Sequence, residues 1–267
     1  MKRRAIVAIH GVGKGTGASR SGFSDALKRN VFTCLNLGKS PSLAWRECIW
    51  EDLNEELDVA VRGIVRNLTK GPLLSGLISG PGNPRCVLRI LKGVAFPALG
   101  WLAEQVLDLG LDYAWYLDSC HGERIRERLR TVIHETAEQN DAEIVLAAHS
   151  LGSVIAYDVL AQVQADRQPS LPVVGLITFG SPLEWTFDLR EADGRPECRF
   201  DSIGKITWNN FYYPEDYVAL YKGLSNGRFK GMAHDFELKK TSKTSAITSH
   251  CAYWEDKTLA KRIAGLL

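Results

Sequence analysis

A serine with the surroundings of a nucleophile lies in the segment LAAHSLGSVIAYDVL, where a short apolar run passes directly into a helical pattern. Ser150 stands in the frame small-x-Ser-x-Gly, with Ala148 two residues before it and Gly152 two residues after it. A sharp strand-to-helix turn needs small residues at both positions, and it exposes the serine hydroxyl at the carboxyl edge of a sheet. Ala148 stands where glycine is usual. The segment predicts Ser150 as a nucleophile.

A serine hydroxyl needs a base and an orienting acid, which follow the serine in this type of turn in the order acid, then histidine. Asp216 follows the apolar segment GKITWNNFY, and Glu215 is its nearest rival. His250 lies in the polar stretch TSKTSAITSHCAYWED, which predicts a loop before the last helix. His234 also follows the acid, but MAHDFEL reads as strand interior. Since catalytic bases tend to lie on loops, we expect His250 to be the base and Asp216 the acid.

Each of these residues also has an ordinary structural interpretation. Ser150 would serve as a helix N-cap, Asp216 as a turn residue and His250 as a surface histidine. Cys251 has no second base or turn of its own, so we expect a small buried residue rather than a nucleophile. The order of the three residues at strand ends favours the catalytic interpretation.

The glycine-rich loop of AIVAIHGVGKGTGAS follows the first apolar segment and predicts a backbone that approaches a ligand. A phosphate-binding GxxxxGK[ST] loop is excluded, because Ala8 stands at the first glycine and Gly15 at the final hydroxyl position. A dinucleotide site is excluded because residues 26–46 contain no Asp or Glu to bind a ribose. The remaining interpretation is an oxyanion hole, with the backbone N–H groups of Val12 and Leu151 as donors.

The elements that must position these residues alternate between short apolar segments and helical patterns, which predicts a mostly parallel sheet covered by helices. The predicted strands are RRAIVAI, SLAWRECIW, AEIVLAA, PVVGLITF, GKITWNNFY and one within GRFKGMAHDFEL, and the predicted helices are residues 21–35, 121–139, 151–164 and 252–266. We expect one domain over residues 1–267, interrupted at 53–120 by an apolar, glycine-containing insertion.

This insertion has two interpretations: a helical lid over Ser150, or an extension of the core or a subunit contact. The first makes its apolar side chains substrate-binding, namely Phe96, Leu99, Trp101 and Leu102. Its longest uncharged stretch, residues 93–103, contains Pro97 and is shorter than the ~20 residues of a membrane span.

Composition limits the partners and the cofactors. The chain has 33 Lys and Arg against 31 Asp and Glu and no basic block, so nucleic acid is not an expected partner. Six scattered cysteines form no metal-binding spacing and indicate reduced thiols. The apolar part of MKRRAIVAI is about five residues, short of the ~7 to 15 of a signal peptide, so we expect a cytoplasmic protein. We also expect it to need no metal or cofactor.

The segments IHGVG, HSLGSVIAYDVL, FGSPL, EDYVA and SHCAYW together resemble the α/β-hydrolase superfamily, in particular its lipase-like serine esterases. The segment HSLGSVIAYDVL around Ser150 is also similar to the nucleophile turn of intracellular DDHD-type phospholipases, although a C-terminal DDHD constellation is absent. The resemblance implies a triad of Ser150, Asp216 and His250, an oxyanion hole at Val12 and Leu151, and hydrolysis of carboxylic esters.

Acyl or lipid esters are the expected substrates because the insertion is apolar, and a lipid substrate would involve transient contact with a membrane surface. A thioesterase or an acyltransferase would use the same residues. From other classes, a catalytically silent binding or scaffold module on this fold stays open, and a nucleotide-binding protein is the weakest alternative.

Overall fold

The computed structural model describes residues 3–11, 21–36, 43–54, 113, 116, 119–165, 170–192, 206–219, 223–239 and 248–267. The chain divides into two compact units, one of Met1–Cys48 with Arg128–Leu267 and one of Ile49–Glu127. In the second unit, Glu51–Asn54 form a 3-10 turn, and Arg126 lies over the ring of Tyr116 and pairs with Glu123 at 2.8 Å. Most of the predicted insertion lies outside the described residues and stays a prediction.

The first unit is built on one six-stranded sheet, and each of its five strand pairings is parallel. Its strands are β1 (Arg3–Ile9), β2 (Ala44–Cys48), β3 (Ala142–His149), β4 (Val173–Phe179), β5 (Thr207–Tyr212) and β6 (Ala233–Glu237), in the order β2-β1-β3-β4-β5-β6. The central strands are nearly continuous apolar runs, as expected for a parallel sheet covered on both faces. All six predicted strands are present.

The helices of the described residues follow the strands in the predicted alternation. They are α1 (Asp25–Cys34), α2 (Ser119–Asn140), α3 (Leu151–Ala165), α4 (Leu183–Ala192), α5 (Ser249–Ala252) and α6 (Lys257–Ala264), with a 3-10 turn at Tyr253–Glu255 between the last two. Helix α4 was not predicted from the sequence. The helix predicted over residues 252–266 is broken into the last residue of α5, the turn and α6, because Asp256 ends the turn in extended backbone and caps α6 by accepting from Leu259 N–H at 2.7 Å.

The two faces of the sheet have separate cores. On one face, Ile6, Val145 and Ile177 belong to a buried cluster with residues of α1 and α6. On the other face, aromatic rings of α3, α4, β5 and the loop before β6 pack against one another, mostly edge to face, namely Tyr157, Phe187, Trp208 and Phe229. A parallel sheet between helices, with a strand-to-helix turn after β3 at its centre, is the α/β-hydrolase arrangement, so the predicted fold class is confirmed.

Candidate active site

The turn between β3 and α3 holds Ser150 in a conformation that few residues other than glycine adopt. Its φ is 53°, and such a backbone costs an L-residue about 1–3 kcal/mol, so the surroundings must enforce it. The serine N–H donates to the carbonyl oxygen of Phe179 at 3.1 Å, and its own carbonyl accepts from Ser153 N–H at 2.9 Å. A β-carbon at Gly152 would lie 2.6 Å from the carbonyl oxygen of His10. Glycine at position 152 therefore lets α3 pack against the end of β1.

Ser150 is buried, with 1% of its surface exposed, which differs from the expectation of an exposed serine. The loop after β1 covers it closely. A β-carbon on Gly11 would lie 2.7 Å from Ser150 Oγ and 2.9 Å from the backbone nitrogen of Leu151. The glycine-rich loop therefore begins with backbone packed against the serine hydroxyl, and a side chain at position 11 would displace it.

The three residues that the sequence analysis selected lie in hydrogen-bonding contact. Nε2 of His250 is 2.9 Å from Ser150 Oγ. Nδ1 of the same ring is 3.0 Å from Oδ2 and 3.1 Å from Oδ1 of Asp216. A carboxylate only accepts, so Nδ1 carries the proton and Nε2 is left to accept from the serine. The residues come from the carboxyl ends of β3 and β5 and from α5. They form one continuous series of hydrogen bonds from the serine through the histidine to the aspartate.

Asp216 is fully buried in the first loop after β5 and is held by several donors. Its Oδ1 accepts from Val218 N–H at 2.9 Å, and its Oδ2 accepts from the hydroxyl of Tyr253 at 2.8 Å. Burial by itself would raise the pKa of this carboxyl, but the adjacent His250 and these hydrogen bonds outweigh burial and lower its pKa. The carboxylate therefore stays ionised beside the imidazole.

The rival residues lie elsewhere. His234 is an exposed residue inside β6, opposite Asn209, as its strand-like surroundings predicted. Asp216, not its neighbour Glu215, contacts His250. His250 itself lies in the short helix α5, which follows Thr248, rather than in a loop.

Leu151 is the first residue of α3, so its backbone N–H has no acceptor within that helix and lies beside the nucleophile. The other expected donor, Val12, lies outside the described residues. The expected substrate-binding residues Phe96, Leu99, Trp101 and Leu102 also lie outside them.

Comparisons with known proteins give no family for this chain. No family model matches it, and no curated protein matches it. Among solved structures, it is similar to the RedJ thioesterase of prodiginine biosynthesis from Streptomyces coelicolor, with 11% identity and a TM-score of 0.41 over 99% of this chain and 86% of that one. This identity is too low to transfer a function.

Two residues that the sequence analysis did not select complete the site. Gly180, at the end of β4, has a φ of +58°, and a β-carbon there would lie 3.1 Å from both Asp216 Oδ2 and His250 Nδ1 and 2.9 Å from the Tyr253 ring. The hydroxyl of Tyr253 donates to Asp216. Gly180 lies in the quoted segment FGSPL and Tyr253 in SHCAYW, but neither spacing indicates which side chain they approach.

The expectation that Cys251 is a small buried residue is wrong, because its side chain is exposed. In α5 and the turn that follows, Ser249 and Tyr253 are buried and lie four residues apart on one side. A residue two positions after Ser249 points to the opposite side of a helix. Cys251 therefore faces away from the core.

No group of three or more metal-ligating side chains occurs among the described residues. Within the same ranges, no helix is long and apolar enough to cross a membrane.

Proposed function

We propose that this protein is a serine hydrolase that cleaves carboxylic esters through an acyl-serine intermediate. The observation that carries the proposal is the hydrogen-bonded chain from Ser150 through His250 to Asp216, which starts from a positive-φ turn at the carboxyl edge of the sheet. The ordinary structural roles of these three residues do not explain a strained serine backbone, a buried carboxylate and an imidazole that is hydrogen-bonded to both. Such a constellation is the template for nucleophilic acyl transfer.

The first step transfers an acyl group to the serine. His250 Nε2 takes the proton of Ser150 Oγ as this oxygen attacks the ester carbonyl carbon, which leaves a negative charge on the carbonyl oxygen. As the tetrahedral intermediate collapses, His250 returns the proton to the departing alkoxide, and an alcohol leaves. Asp216 holds the imidazole in the required tautomer and stabilises its cation.

Water completes the reaction by the same route. His250 takes a proton from water as the water oxygen attacks the acyl carbon, and then returns that proton to Ser150 Oγ, so that a carboxylic acid is released. The negative charge in both steps needs donors at fixed positions. We assign them to the N–H of Leu151 at the start of α3, where the helix dipole also favours negative charge, and to Val12.

Oxygen esters and thioesters both give the same acyl-serine, so the proposed machinery could act on either class. We propose acyl or lipid esters on the basis of the apolar segment around Phe96, Leu99, Trp101 and Leu102. A thioesterase differs in its leaving group, and an acyltransferase differs in its acceptor.

Covalent labelling tests the proposal directly. A fluorophosphonate should add once to the folded protein, at Ser150, and intact-mass analysis should find no adduct on Ser150→Ala. Heat-denatured wild-type protein is the matched control, because unfolding separates the serine from His250. In parallel, p-nitrophenyl esters and acyl thioesters of increasing chain length should give the preferred leaving group. Equal labelling of Ser150→Ala would overturn the assignment of Ser150 as the nucleophile, and no labelling with no turnover of either panel would support a catalytically silent module instead.

A further inference from the structure

His149, the residue directly before the nucleophile, makes a hydrogen bond that the proposed reaction does not use. Its side chain is nearly buried, with 7% of its surface exposed. Its ring Nε2 lies 2.7 Å from the backbone carbonyl oxygen of His250. A carbonyl oxygen only accepts, so Nε2 of His149 carries the proton. The last residue of β3 thereby contacts the backbone of the proposed base, His250, which lies 101 residues away in the sequence.

The ring of His149 is held by several neighbouring rings. It stacks on Phe179 of β4, with centroids 5.3 Å apart and an interplanar angle of 26°. It also lies 4.7 Å from the ring of His250 and 5.4 Å, at a steep angle, from the ring of Trp254. Because these contacts fix the ring, the Nε2–H bond has one direction, toward α5.

The surroundings keep this donor uncharged. Burial lowers the pKa of His149 well below its usual value, and the adjacent His250 lowers it further. Asp216 acts in the opposite direction and His10 in the same one, and the titratable ring of Tyr253 also packs against His149. A neutral imidazole donates without placing a second positive charge beside His250 when that residue becomes protonated.

The helix that carries His250 cannot hold its own position. It has four residues, Ser249–Ala252, and isolated helices of this length are not stable in water. Its position must come from tertiary contacts. The side chain of His250 is bonded to Ser150 and Asp216, but both bonds change strength as protons move during turnover. The bond from His149 is to a backbone carbonyl, which neither gains nor loses a proton during the proposed reaction.

We propose that His149 is a positioning residue for the catalytic base, and that its Nε2–H···O bond to the His250 backbone keeps the imidazole between Ser150 and Asp216. The inference rests on the proposed hydrolase function. It requires that the donor, rather than the aromatic ring alone, supports catalysis.

Two substitutions separate the donor from the ring. His149→Phe keeps a ring to stack on Phe179 and removes the donor, whereas His149→Gln keeps an N–H near the Nε2 position and removes the ring. A buried carbonyl left without its donor should misplace His250, so His149→Phe should lower kcat by about 10- to 100-fold with KM little changed. Fluorophosphonate labelling should slow by a similar factor, and His149→Gln should recover most of both rates.

The outcomes are distinct. Wild-type kcat in His149→Phe, or equal losses in the Phe and Gln variants, would overturn the positioning role while the hydrolase function stands. If His149→Phe does not fold by circular dichroism, His149→Asn replaces it, because its shorter amide does not reach the carbonyl. Equal activity of the Asn and Gln variants then overturns the inference. Absence of ester turnover and of labelling in the wild-type protein overturns the hydrolase function itself, and the positioning role with it.

Discussion

Replacing Gly180 by alanine would place a methyl group at the centre of the candidate site. The backbone there has a φ of +58°, and the β-carbon would lie 2.9 Å from the Tyr253 ring and 3.1 Å from Asp216 Oδ2 and from His250 Nδ1. Ordinary contacts to carbon are near 3.5–4.0 Å, so these groups must move by about 0.5 Å. Since a displacement of about 1 Å in a reacting group can cost 10²-fold, we expect kcat to fall by about 10- to 100-fold.

The backbone cost can be separated from the contact cost with Gly231. Its φ is +79° and no atom lies within 4 Å of a β-carbon placed there, so Gly231→Ala should have only the left-handed penalty of about 1–2 kcal/mol. Gly180→Ala should lose at least as much stability, and it alone should lose kcat.

The assay is the steady-state hydrolysis of p-nitrophenyl acetate and butyrate, with calorimetric Tm values for both variants. Both esters are needed because a displaced imidazole lowers kcat for every chain length equally, whereas a blocked acyl site would affect butyrate more. If Gly180→Ala retains as much kcat as Gly231→Ala, the close packing of Asp216, His250 and Tyr253 around position 180 does not matter for catalysis, and the reasoning is refuted.

Two further predictions concern the base and the dependence on pH. His250→Ala and Asp216→Asn should each lower kcat by orders of magnitude, up to about 10⁴-fold for the aspartate as in serine proteases, while His234→Ala should have little effect; loss of turnover only in His234→Ala would move the base to β6. Burial lowers the pKa of His10 to about 4 in the folded protein, whereas an unfolded histidine titrates near ~6.5. The unfolded chain therefore binds more protons between these values, and the free energy of unfolding should fall by roughly 3 kcal/mol from this group as the pH drops from about 6.5 to 4. Urea unfolding at several pH values measures this change, and a profile that is flat over this range would contradict it.

The centre of the sheet could be predicted from the sequence because its inner strands are buried on both faces. A segment such as AEIVLAA has few alternatives to a central strand when a turn and a helical pattern follow it. Helix α4 was missed because LEWTFDLREA directly follows the glycine and proline of FGSPL and carries no clear repeat of apolar residues. The C-terminal break was missed because Asp256 ends one turn and caps the next helix, and a cap within a helical pattern looks like one charged residue among others.

The residues that the site brings together could be selected from chain order and position at strand ends, which the sequence contains. The residues that pack around the site could not be selected in this way, because their role depends on distances in the folded structure and not on their spacing in the sequence. Gly180 is one glycine among 24 in the sequence, and only its positive φ and the side chains around it distinguish it. The burial of Ser150 has the same origin, because the cover is the backbone at Gly11, which is remote in sequence.

The acid and the base of the candidate site are held by one C-terminal segment. Asp256, the N-cap of α6, accepts from the hydroxyl of Tyr213 at 2.6 Å. The backbone N–H of Tyr213 donates at 2.9 Å to the hydroxyl of Tyr253, which in turn donates to Asp216. Burial and the adjacent carboxylate raise the pKa of Tyr253, so its hydroxyl stays a neutral donor. His250 and Tyr253 are three residues apart and approach the same carboxylate, so a shift of this segment moves the base and the support of the acid together. The start of α6 therefore sets the geometry of a site formed largely by residues from other parts of the chain.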